Sequence, residues 1–234
     1  MSIGIVVALP EEVTTLTSRK LAQGDCVSIA DNILLTLAGA GPSNAERAAQ
    51  QLIANGADQL ISWGCAAALS PDLKPGDLVL ADQLTATQQQ PFNTDAIWRQ
   101  HLQKLLSAEL PISVGRLTES AQIVAQSHNK KLIYQQTGAI ALDMESYAIA
   151  KAAQQAGLPC LVIRVIADPA NMDLPQAVSQ SLNSQGQVQL GKLLVFLLSH
   201  PWEVPGLIRL GLHFHAAQKT LKTIAKHLNE IINF

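Results

Sequence analysis

The 234-residue chain has few of the residues that mark several common classes of protein. Its only three cysteines, Cys26, Cys65 and Cys160, form no CxxC pair and no Cys/His ligand spacing, which argues against a disulfide framework and against a zinc site. The net charge is −2, and no run of lysine or arginine offers a basic stripe to nucleic acid. We therefore expect a cytoplasmic protein that binds no nucleic acid.

Long apolar runs are also missing. IGIVVAL (3–9) is followed at once by glutamates, and LLVFLL (193–198) is shorter still, whereas a membrane-spanning helix needs about 20 apolar residues. We expect neither a signal peptide nor a transmembrane segment. Apolar residues nevertheless make up 48% of the chain, which is enough for a sizeable core. We predict one domain over residues 1–234, with an apolar helical extension from about residue 188.

Short β-branched runs alternate with helical patterns along the chain. The runs predict buried strands at 3–9, 33–41, 59–69, 76–84, 112–117, 139–144 and 159–168. Helices are predicted at about 43–56, 95–107, 144–156 and 188–232, and the polar stretch 85–95 is predicted to be an exposed loop. This alternation predicts an α/β fold of three layers, in which helices cover both faces of a mixed, mainly parallel central sheet.

Acidic side chains follow the ends of three predicted strands. The first strand leads into LPEEV, with Glu11 and Glu12, the strand at 139 leads into DMES, and the strand at 159 leads into RVIADPAN. A fourth strand ends in the small residues GCAAA, whose backbone can approach a ligand closely. Ligands of open α/β sheets bind beyond the carboxyl ends of the strands. The sequence therefore predicts a carboxylate-rich pocket at this edge.

Each acid also has an ordinary structural interpretation. Asp143 and Glu145 stand where a helix cap and a first-turn acid would stand, and both favour a helix N-terminus. Glu11 and Glu12 follow a proline at a possible helix start. Asp168 precedes a proline and fits a turn. On the residues alone, these alternatives remain open.

Taken in order, the motifs ALPEEV, GCAAALSPDLKPGDLVLAD, DMES and RVIAD resemble those of the nucleoside phosphorylase and nucleosidase superfamily. The likeness is greatest to its methylthioadenosine/S-adenosylhomocysteine nucleosidase branch and spans about residues 1–170. The resemblance implies a phosphorylase-type fold and an enzyme that cleaves the N-glycosidic bond of a purine nucleoside. It also implies a homodimer, because the relatives complete their sites from neighbouring subunits.

The resemblance assigns roles to the acids. It implies that Asp168 is the catalytic acid that protonates the purine N7, which requires a raised pKa. It also implies that Glu12 is the base that activates the attacking water, although adjacent Glu11 leaves a one-residue ambiguity. Glu145 would bind the ribose hydroxyls, since a carboxylate accepts two neighbouring O–H donors, and Met144 would pack against the sugar.

Further positions are implied to bind the substrate. The backbone around Cys65, Ala66 and Ala67 would line the base and the ribose, where larger side chains would intrude. Gln122 and Ile123 fall where the family holds the base between side chains, although Ile123 also fits a core position. The resemblance implies no metal and no organic cofactor.

Two departures from the family bear on the chemistry, one on the nucleophile and one on the acid. Its phosphorylases carry an arginine shortly before the small-residue turn, where this chain has Ser62 and Trp63, so we expect no cation there. Because an arginine favours a phosphate nucleophile, its absence favours water, and hence hydrolysis. Inorganic phosphate remains a possible co-substrate through Arg47, backbone N–H groups or a partner subunit. A serine before the final aspartate is replaced by Ala167, which removes one hydrogen bond that would tune Asp168.

The C-terminal part resembles the hopanoid-associated phosphorylase subgroup, through VIADPAN…LP, LLSHP and the final helix. That resemblance implies removal of adenine from adenosylhopane and a site for a triterpenoid tail. LLVFLL and Trp202 are candidates for peripheral membrane contact, and a plain core helix is the alternative. Three rival functions remain: a methylthioadenosine/S-adenosylhomocysteine nucleosidase, a general purine nucleoside phosphorylase and a non-catalytic nucleoside-binding protein.

Overall fold

The computed structural model describes residues 2–181 and 190–232. Its strands are β1 (Ile3–Val7), β2 (Cys26–Ala30), β3 (Ile33–Leu37), β4 (Gln59–Ala68), β5 (Leu78–Ala86), β6 (Phe92–Asn93), β7 (Ile112–Glu119), β8 (Ala141–Asp143) and β9 (Cys160–Asp168). Its helices are α1 (Pro10–Val13), α2 (Pro42–Ala54), α3 (Ala96–Leu106), α4 (Ser127–Thr137), α5 (Ser146–Gln155), α6 (Gln176–Ser181), α7 (Leu190–Ser199), α8 (Val204–Ala225) and α9 (Leu228–Ile232).

The nine described strands form one mixed sheet, which confirms the predicted fold class. The order is β2-β3-β1-β4-β8-β7-β5-β6, and β9 pairs with both β4 and β5. Strand β1 runs parallel to β3 and β4, and the β4–β9, β5–β7 and β7–β8 pairs are also parallel. Because β9 joins β4 to β5, five strands close into a ring, whereas the alternation of elements had suggested only an open sheet.

Helices cover both faces of the sheet, as predicted. Along β1, Ile3, Ile5 and Val7 point into one core, which also contains the apolar faces of α3, α8 and α9. Val6 points to the opposite core, which is shared with α2 and α5. This alternation follows from the two-residue period of a strand. Because both faces of β1 meet a core, all five of its residues are buried and are apolar or glycine.

Several elements differ from the prediction. β2 and α4 were not predicted, because β2 is half-exposed and α4 (SHNKKLIYQQT) is largely polar, so neither has a clear apolar period. The stretch 85–95 is not simply an exposed loop, since β5 continues to Ala86 and β6 pairs with it. Thr94 is buried there, and its hydroxyl donates to the Ala81 carbonyl at 2.6 Å. The predicted strand 33–41 ends at Leu37, before the positive φ angles of Gly39 and Gly41.

The predicted helix at 188–232 is divided into α7, α8 and α9, with a short 3-10 helix at Pro201–Glu203, and its residues 188 and 189 lie outside the described part of the chain. Ala217, Leu221 and Ile224 of α8 are fully buried, so the C-terminal half of this helix forms part of the core. The N-terminal half instead exposes Ile208 and Leu212. None of the helices within residues 2–181 and 190–232 has the length and apolar character needed to cross a membrane.

Candidate active site

A cavity of about 260 Å³ lies beyond the carboxyl ends of β1, β4, β8 and β9. Three of the predicted acids, Glu12, Glu145 and Asp168, converge on it although they are far apart in the sequence. The cavity is lined by Ala8, Leu9, Glu12, Ala40, Cys65, Ala66, Ala67, Ile123, Val124, Leu142, Asp143, Met144, Glu145, Ala167, Asp168 and Leu174. The wall is therefore largely apolar, and the polar groups are concentrated in a few carboxylates, as is common for small-molecule sites.

The structure brings nearly all the predicted substrate-binding positions into this wall. Cys65, Ala66 and Ala67 contribute from the end of β4, and Met144 and Ile123 contribute from two other segments. Gln122 is the exception: it does not line the cavity, and its side chain is exposed. Its carbonyl accepts a hydrogen bond from the Ser120 hydroxyl at 2.6 Å, in a turn that leaves the side chain outside. The unpredicted Val124 takes a place in the wall instead.

Glu12 is held by backbone N–H groups. One carboxylate oxygen accepts from the N–H groups of Ala8 at 3.1 Å and Leu9 at 3.0 Å, and the other accepts from Cys65 at 2.8 Å. Burial raises the pKa of Glu12, and the charge of Arg164 and then these N–H donors oppose the rise because they stabilise the charged form. Glu12 is only 2% exposed, whereas neighbouring Glu11 lies on the surface. Of the two glutamates, Glu12 is therefore the one at the cavity.

The pair Asp143 and Glu145 combines the two interpretations left open by the sequence. Asp143 accepts the backbone N–H of Ser146, the first residue of α5, at 3.2 Å, whereas Glu145 takes the N-cap position rather than the first turn. Glu145 lines the cavity and accepts the Gly41 N–H at 2.9 Å. Burial, together with the nearby charge of Asp143, raises the pKa of Glu145 to about 7. Glu145 is thus a buried acceptor facing the ligand space.

Arg164 corrects the expectation that no cation lies near Ser62. It comes from the neighbouring strand β9, and its guanidinium donates to the Ser62 hydroxyl at 2.7 Å. Its Nε lies 2.7 Å from a carboxylate oxygen of Asp143, and its Nη2 lies 3.9 Å from Glu145. The signal was present in the sequence, since an arginine inside the apolar run LVIRVIAD must find a buried partner. Its charge is compensated by these acids.

Gly64 allows this cluster to form. A Cβ atom at this position would overlap the guanidinium of Arg164 and the carboxylate of Glu12. The absence of a side chain therefore lets the two charged groups meet across β4.

Asp168 stands at the end of β9 and is paired with a residue that the sequence did not single out. The ammonium of Lys130, on α4, lies 2.7 Å from Oδ1 of Asp168, and the Lys130 side chain is completely buried. Burial raises the pKa of Asp168, and the Lys130 charge partly opposes this rise. The sequence of the polar helix α4 does not show that Lys130 is buried, because the adjacent residue, Lys131, is also a lysine and is exposed.

Glu119, at the end of β7, is an acid close to the cavity but not in its wall. One of its oxygens accepts the Ala148 N–H at 2.9 Å, at the start of α5. Burial raises its pKa from 4.5 to about 8, and the nearby charges of Asp143 and Glu145 act in the same direction. The folded protein therefore binds this proton more tightly than the unfolded chain. The stability that Glu119 contributes is complete below pH 4.5 and is lost as the pH rises to about 8.

We expect Glu119→Gln to remove this loss, because glutamine accepts the same hydrogen bond without ionising. The variant should match the wild type near about pH 4 and exceed its free energy of unfolding by about 2 kcal/mol or more near about pH 9. Urea unfolding at both pH values measures the difference. Glu11→Gln, at an exposed acid, is the matched control. Parallel stability curves for Glu119→Gln and the wild type would contradict the assignment.

No arrangement of three or more His, Cys, Asp or Glu side chains suited to a metal ion occurs within residues 2–181 and 190–232.

Several proteins of known name or structure are similar to this chain. A protein from Staphylococcus epidermidis named 5'-methylthioadenosine/S-adenosylhomocysteine nucleosidase is 29% identical over 199 residues, covering 72% of this chain and 87% of its own. The nucleosidase of this name from Streptococcus pneumoniae, solved with the transition-state inhibitor MT-ImmA, is 26% identical with a TM-score of 0.67, and the match covers 84% of this chain and 98% of that one.

Two Helicobacter pylori structures share the fold over nearly the whole chain. A 5'-methylthioadenosine/S-adenosylhomocysteine nucleosidase with butyl-thio-DADMe-Immucillin-A has a TM-score of 0.73 and 20% identity, and the match covers 99% of this chain and 97% of that one. A futalosine hydrolase gives the same TM-score at 19% identity, with the same coverage. The family model described as "Phosphorylase superfamily" matches residues 2–191. The chain therefore belongs to the phosphorylase superfamily, as its motifs predict.

Proposed function

We propose that the protein is an enzyme that hydrolyses the N-glycosidic bond of a 5'-substituted adenosine. The observation that supports this most strongly is the convergence of Glu12, Glu145 and Asp168 on one apolar cavity. Cleavage of this bond makes the ribose resemble an oxocarbenium ion. Catalysis then needs an acid for the leaving base, negative charge near the sugar and an activated water. The three carboxyl groups can supply these functions from three different segments of the chain.

The proposed roles are as follows. Asp168 gives its proton to the purine N7 as the bond between C1' and N9 breaks, so that neutral adenine leaves. Glu145 accepts hydrogen bonds from the ribose hydroxyls, and Met144 packs against the sugar. Glu12 takes a proton from the water that attacks C1'. The reaction consumes one water and releases adenine and a 5-substituted ribose, and the proton on Glu12 returns to Asp168 through solvent.

Water is the proposed nucleophile, with no metal or organic cofactor. Among the described residues that line the cavity there is no lysine or arginine. Arg164 is engaged with Asp143 and Ser62, so it offers no free charge to a phosphate. Arg47 is exposed and hydrogen-bonded to Asn44, and it does not line the cavity. Phosphorolysis remains the alternative to be tested.

For the 5' substituent we propose a triterpenoid tail, as in adenosylhopane. Support comes from the C-terminal motifs and from the apolar side of the cavity, where Ile123 is 40% exposed. Methylthioadenosine and S-adenosylhomocysteine are the rival substrates, and they are favoured by the names of the relatives. A general purine nucleoside phosphorylase is the other enzymatic alternative. A non-catalytic nucleoside-binding protein would need Glu145 but neither Glu12 nor Asp168.

The substrate is tested by incubating the protein with adenosylhopane and with methylthioadenosine, each with and without phosphate. We expect free adenine and an unphosphorylated sugar product, with adenosylhopane cleaved at the higher kcat/KM. A sugar phosphate would replace hydrolysis by phosphorolysis. A preference for methylthioadenosine would assign the protein to the activity named for its relatives. No adenine from any of these nucleosides would overturn the enzymatic proposal.

We further propose a cytoplasmic homodimer in peripheral contact with a membrane. Trp202, in the short 3-10 helix before α8, is 69% exposed, and Ile208 and Leu212, four residues apart on α8, are 60% and 65% exposed. Such side chains each gain about 1.5–3 kcal/mol when they are removed from water. The apolar tail of the sugar product would then remain close to the lipid phase. Light scattering on the purified protein measures its molar mass and so tests the proposed dimer.

We expect the protein to co-sediment with liposomes, and Trp202→Ser combined with Ile208→Ser to weaken this partitioning by about 10-fold or more. Ile97→Ser, at a 73% exposed residue of α3, is the matched control and should leave partitioning unchanged. Equal recovery of all three proteins in the supernatant would discard the lipid contact.

A further inference from the structure

Lys130 is an unusual residue for the interior of a protein. Its side chain is completely buried, and an isolated ammonium group is costly to remove from water. Its three N–H groups meet three acceptors: Oδ1 of Asp168 at 2.7 Å, the Met172 carbonyl at 2.9 Å and the Pro169 carbonyl at 3.1 Å. Because an ammonium has three donors and no acceptor, its hydrogen-bonding capacity is used completely.

Lys130 reaches Asp168 from outside the cavity. Lys130 does not line the cavity, whereas Asp168 does. The segment that follows Asp168 is also tied to α4 and the residues before it. The Ser127 N–H donates to Asp173 at 2.7 Å, and the Leu174 N–H donates to the Ala125 carbonyl at 2.8 Å. The Asp168 carboxyl group is thus held from the side away from the cavity by a segment that is hydrogen-bonded to α4 and the residues before it.

We propose that Lys130 is a positioning residue for Asp168, whose ammonium engages Oδ1 and so reserves Oδ2 for the proton that is given to the substrate. This inference rests on the proposed function. An ammonium only donates, and a carbonyl oxygen is a better acceptor than a hydroxyl oxygen, so the contact at Oδ1 favours the neutral acid that carries its proton on Oδ2. Within residues 2–181 and 190–232, the hydrogen bonds of the Asp168 carboxyl group involve Oδ1 alone.

The same contact assists the chemical step. Before proton transfer, the ammonium faces a neutral acid. When the Oδ2–H bond breaks and the proton moves to the purine nitrogen, Oδ1 and Oδ2 share a negative charge beside the ammonium. A fixed charge stabilises the carboxylate that develops in the transition state. Burial favours the protonated form of Asp168, and the Lys130 charge favours the carboxylate that is left when the proton is given away. Asp173 is the other charged group that influences the pKa of Asp168, and it acts against Lys130.

Lys130→Met tests this role, because it removes the charge and keeps much of the length. The activity of an acid catalyst is lost as the pH rises through its pKa. We expect this alkaline limb of kcat/KM for adenine release to move upward by about 1–3 pH units, the effect of a nearby opposite charge. We also expect kcat at neutral pH to fall by about 10-fold or more, with a smaller change in KM. Lys131→Met, at the adjacent exposed lysine, should behave like the wild type.

Lys130→Arg restores the charge and should return the alkaline limb to within about half a pH unit of the wild-type position. A folded Lys130→Met with reduced activity and an unmoved limb would show a purely structural role and overturn the proposal. If the wild type itself released no adenine, the proposed function would fail independently of Lys130.

A measurement on the wild type covers the case in which Lys130→Met does not fold. In ¹⁵N-lysine-labelled protein, the Nζ resonance of the buried Lys130 should shift with the same apparent pKa as the ¹³Cγ resonance of Asp168. The Lys131→Met control should leave this signal unchanged. A Lys130 signal that ignores the titration of Asp168 would overturn the proposal without any variant at position 130.

Discussion

Replacing Asp168 by asparagine is expected to lower kcat for adenine release by about 10²- to 10⁴-fold, the usual contribution of a general acid. Asparagine is similar in size and can accept the hydrogen bond from Lys130, but it has no acidic proton to give to the leaving base. The dissociation constant of the substrate should change much less than kcat. Single-turnover assays with product identification measure the rate, and calorimetry on the inactive variant measures binding.

Asp173→Asn is the matched control for this variant. Asp173 lies five residues further along the chain, is exposed and accepts the Ser127 N–H at 2.7 Å. It should keep kcat close to that of the wild type, because Asp173 does not line the cavity and its charge is the smallest of the named influences on the pKa of Asp168. An Asp168→Asn enzyme that is folded and nearly as active as the wild type would contradict the role of Asp168 as the acid. Another group, or water, would then protonate the base.

The neighbouring glutamates Glu11 and Glu12 allow a second strong comparison. Glu12→Gln is expected to lower kcat by about 10²- to 10⁴-fold, because an amide cannot take the proton of the attacking water. Glu11→Gln should have little effect, since Glu11 lies on the surface and Glu12 lines the cavity. The two variants carry the same chemical change at adjacent positions. Their kinetics therefore address the one-residue ambiguity directly.

Glu12→Gln should also reduce stability. Both carboxylate oxygens of Glu12 accept backbone N–H groups, from Ala8 and Leu9 on one side and from Cys65 on the other. The amide NH₂ group of glutamine must face one of these donors, which costs about 1–3 kcal/mol for an unsatisfied buried group. Urea unfolding measures this loss, and assays are made where the variant is fully folded. Equal kcat values for the wild type and the folded Glu12→Gln variant would contradict the assignment of Glu12 as the base.

Much of the fold was predictable because buried parallel strands have a simple sequence pattern. The β9 run, all of whose residues are buried, and the β1 run were found from their apolar residues alone. β2 and α4 were not found, because β2 is half-exposed and α4 buries only Lys130 fully. The closure of five strands through β9 could not be predicted either, because the pairing of β9 with both β4 and β5 depends on contacts between distant segments.

The site was predictable where it depends on motifs and unpredictable where it depends on packing. Glu12, Glu145 and Asp168 follow strand ends, and their convergence was expected from the rule for ligand sites in α/β sheets. Gln122 was assigned by likeness and lies outside the wall, because a local turn decides the direction of its side chain. Arg164 was visible as a charge in an apolar strand, but its partners were not.

By itself, the sequence determined the succession of strands and helices and the acids that follow the strand ends, because these depend on local periodicity and on order along the chain. Only the tertiary structure decided which glutamate enters the cavity, how Arg164 is neutralised and that Lys130 supports Asp168. These facts depend on the distances between side chains that are up to 102 residues apart in the sequence. Because the interior has a low effective dielectric constant, charges at such distances shift the pKa values of the buried acids.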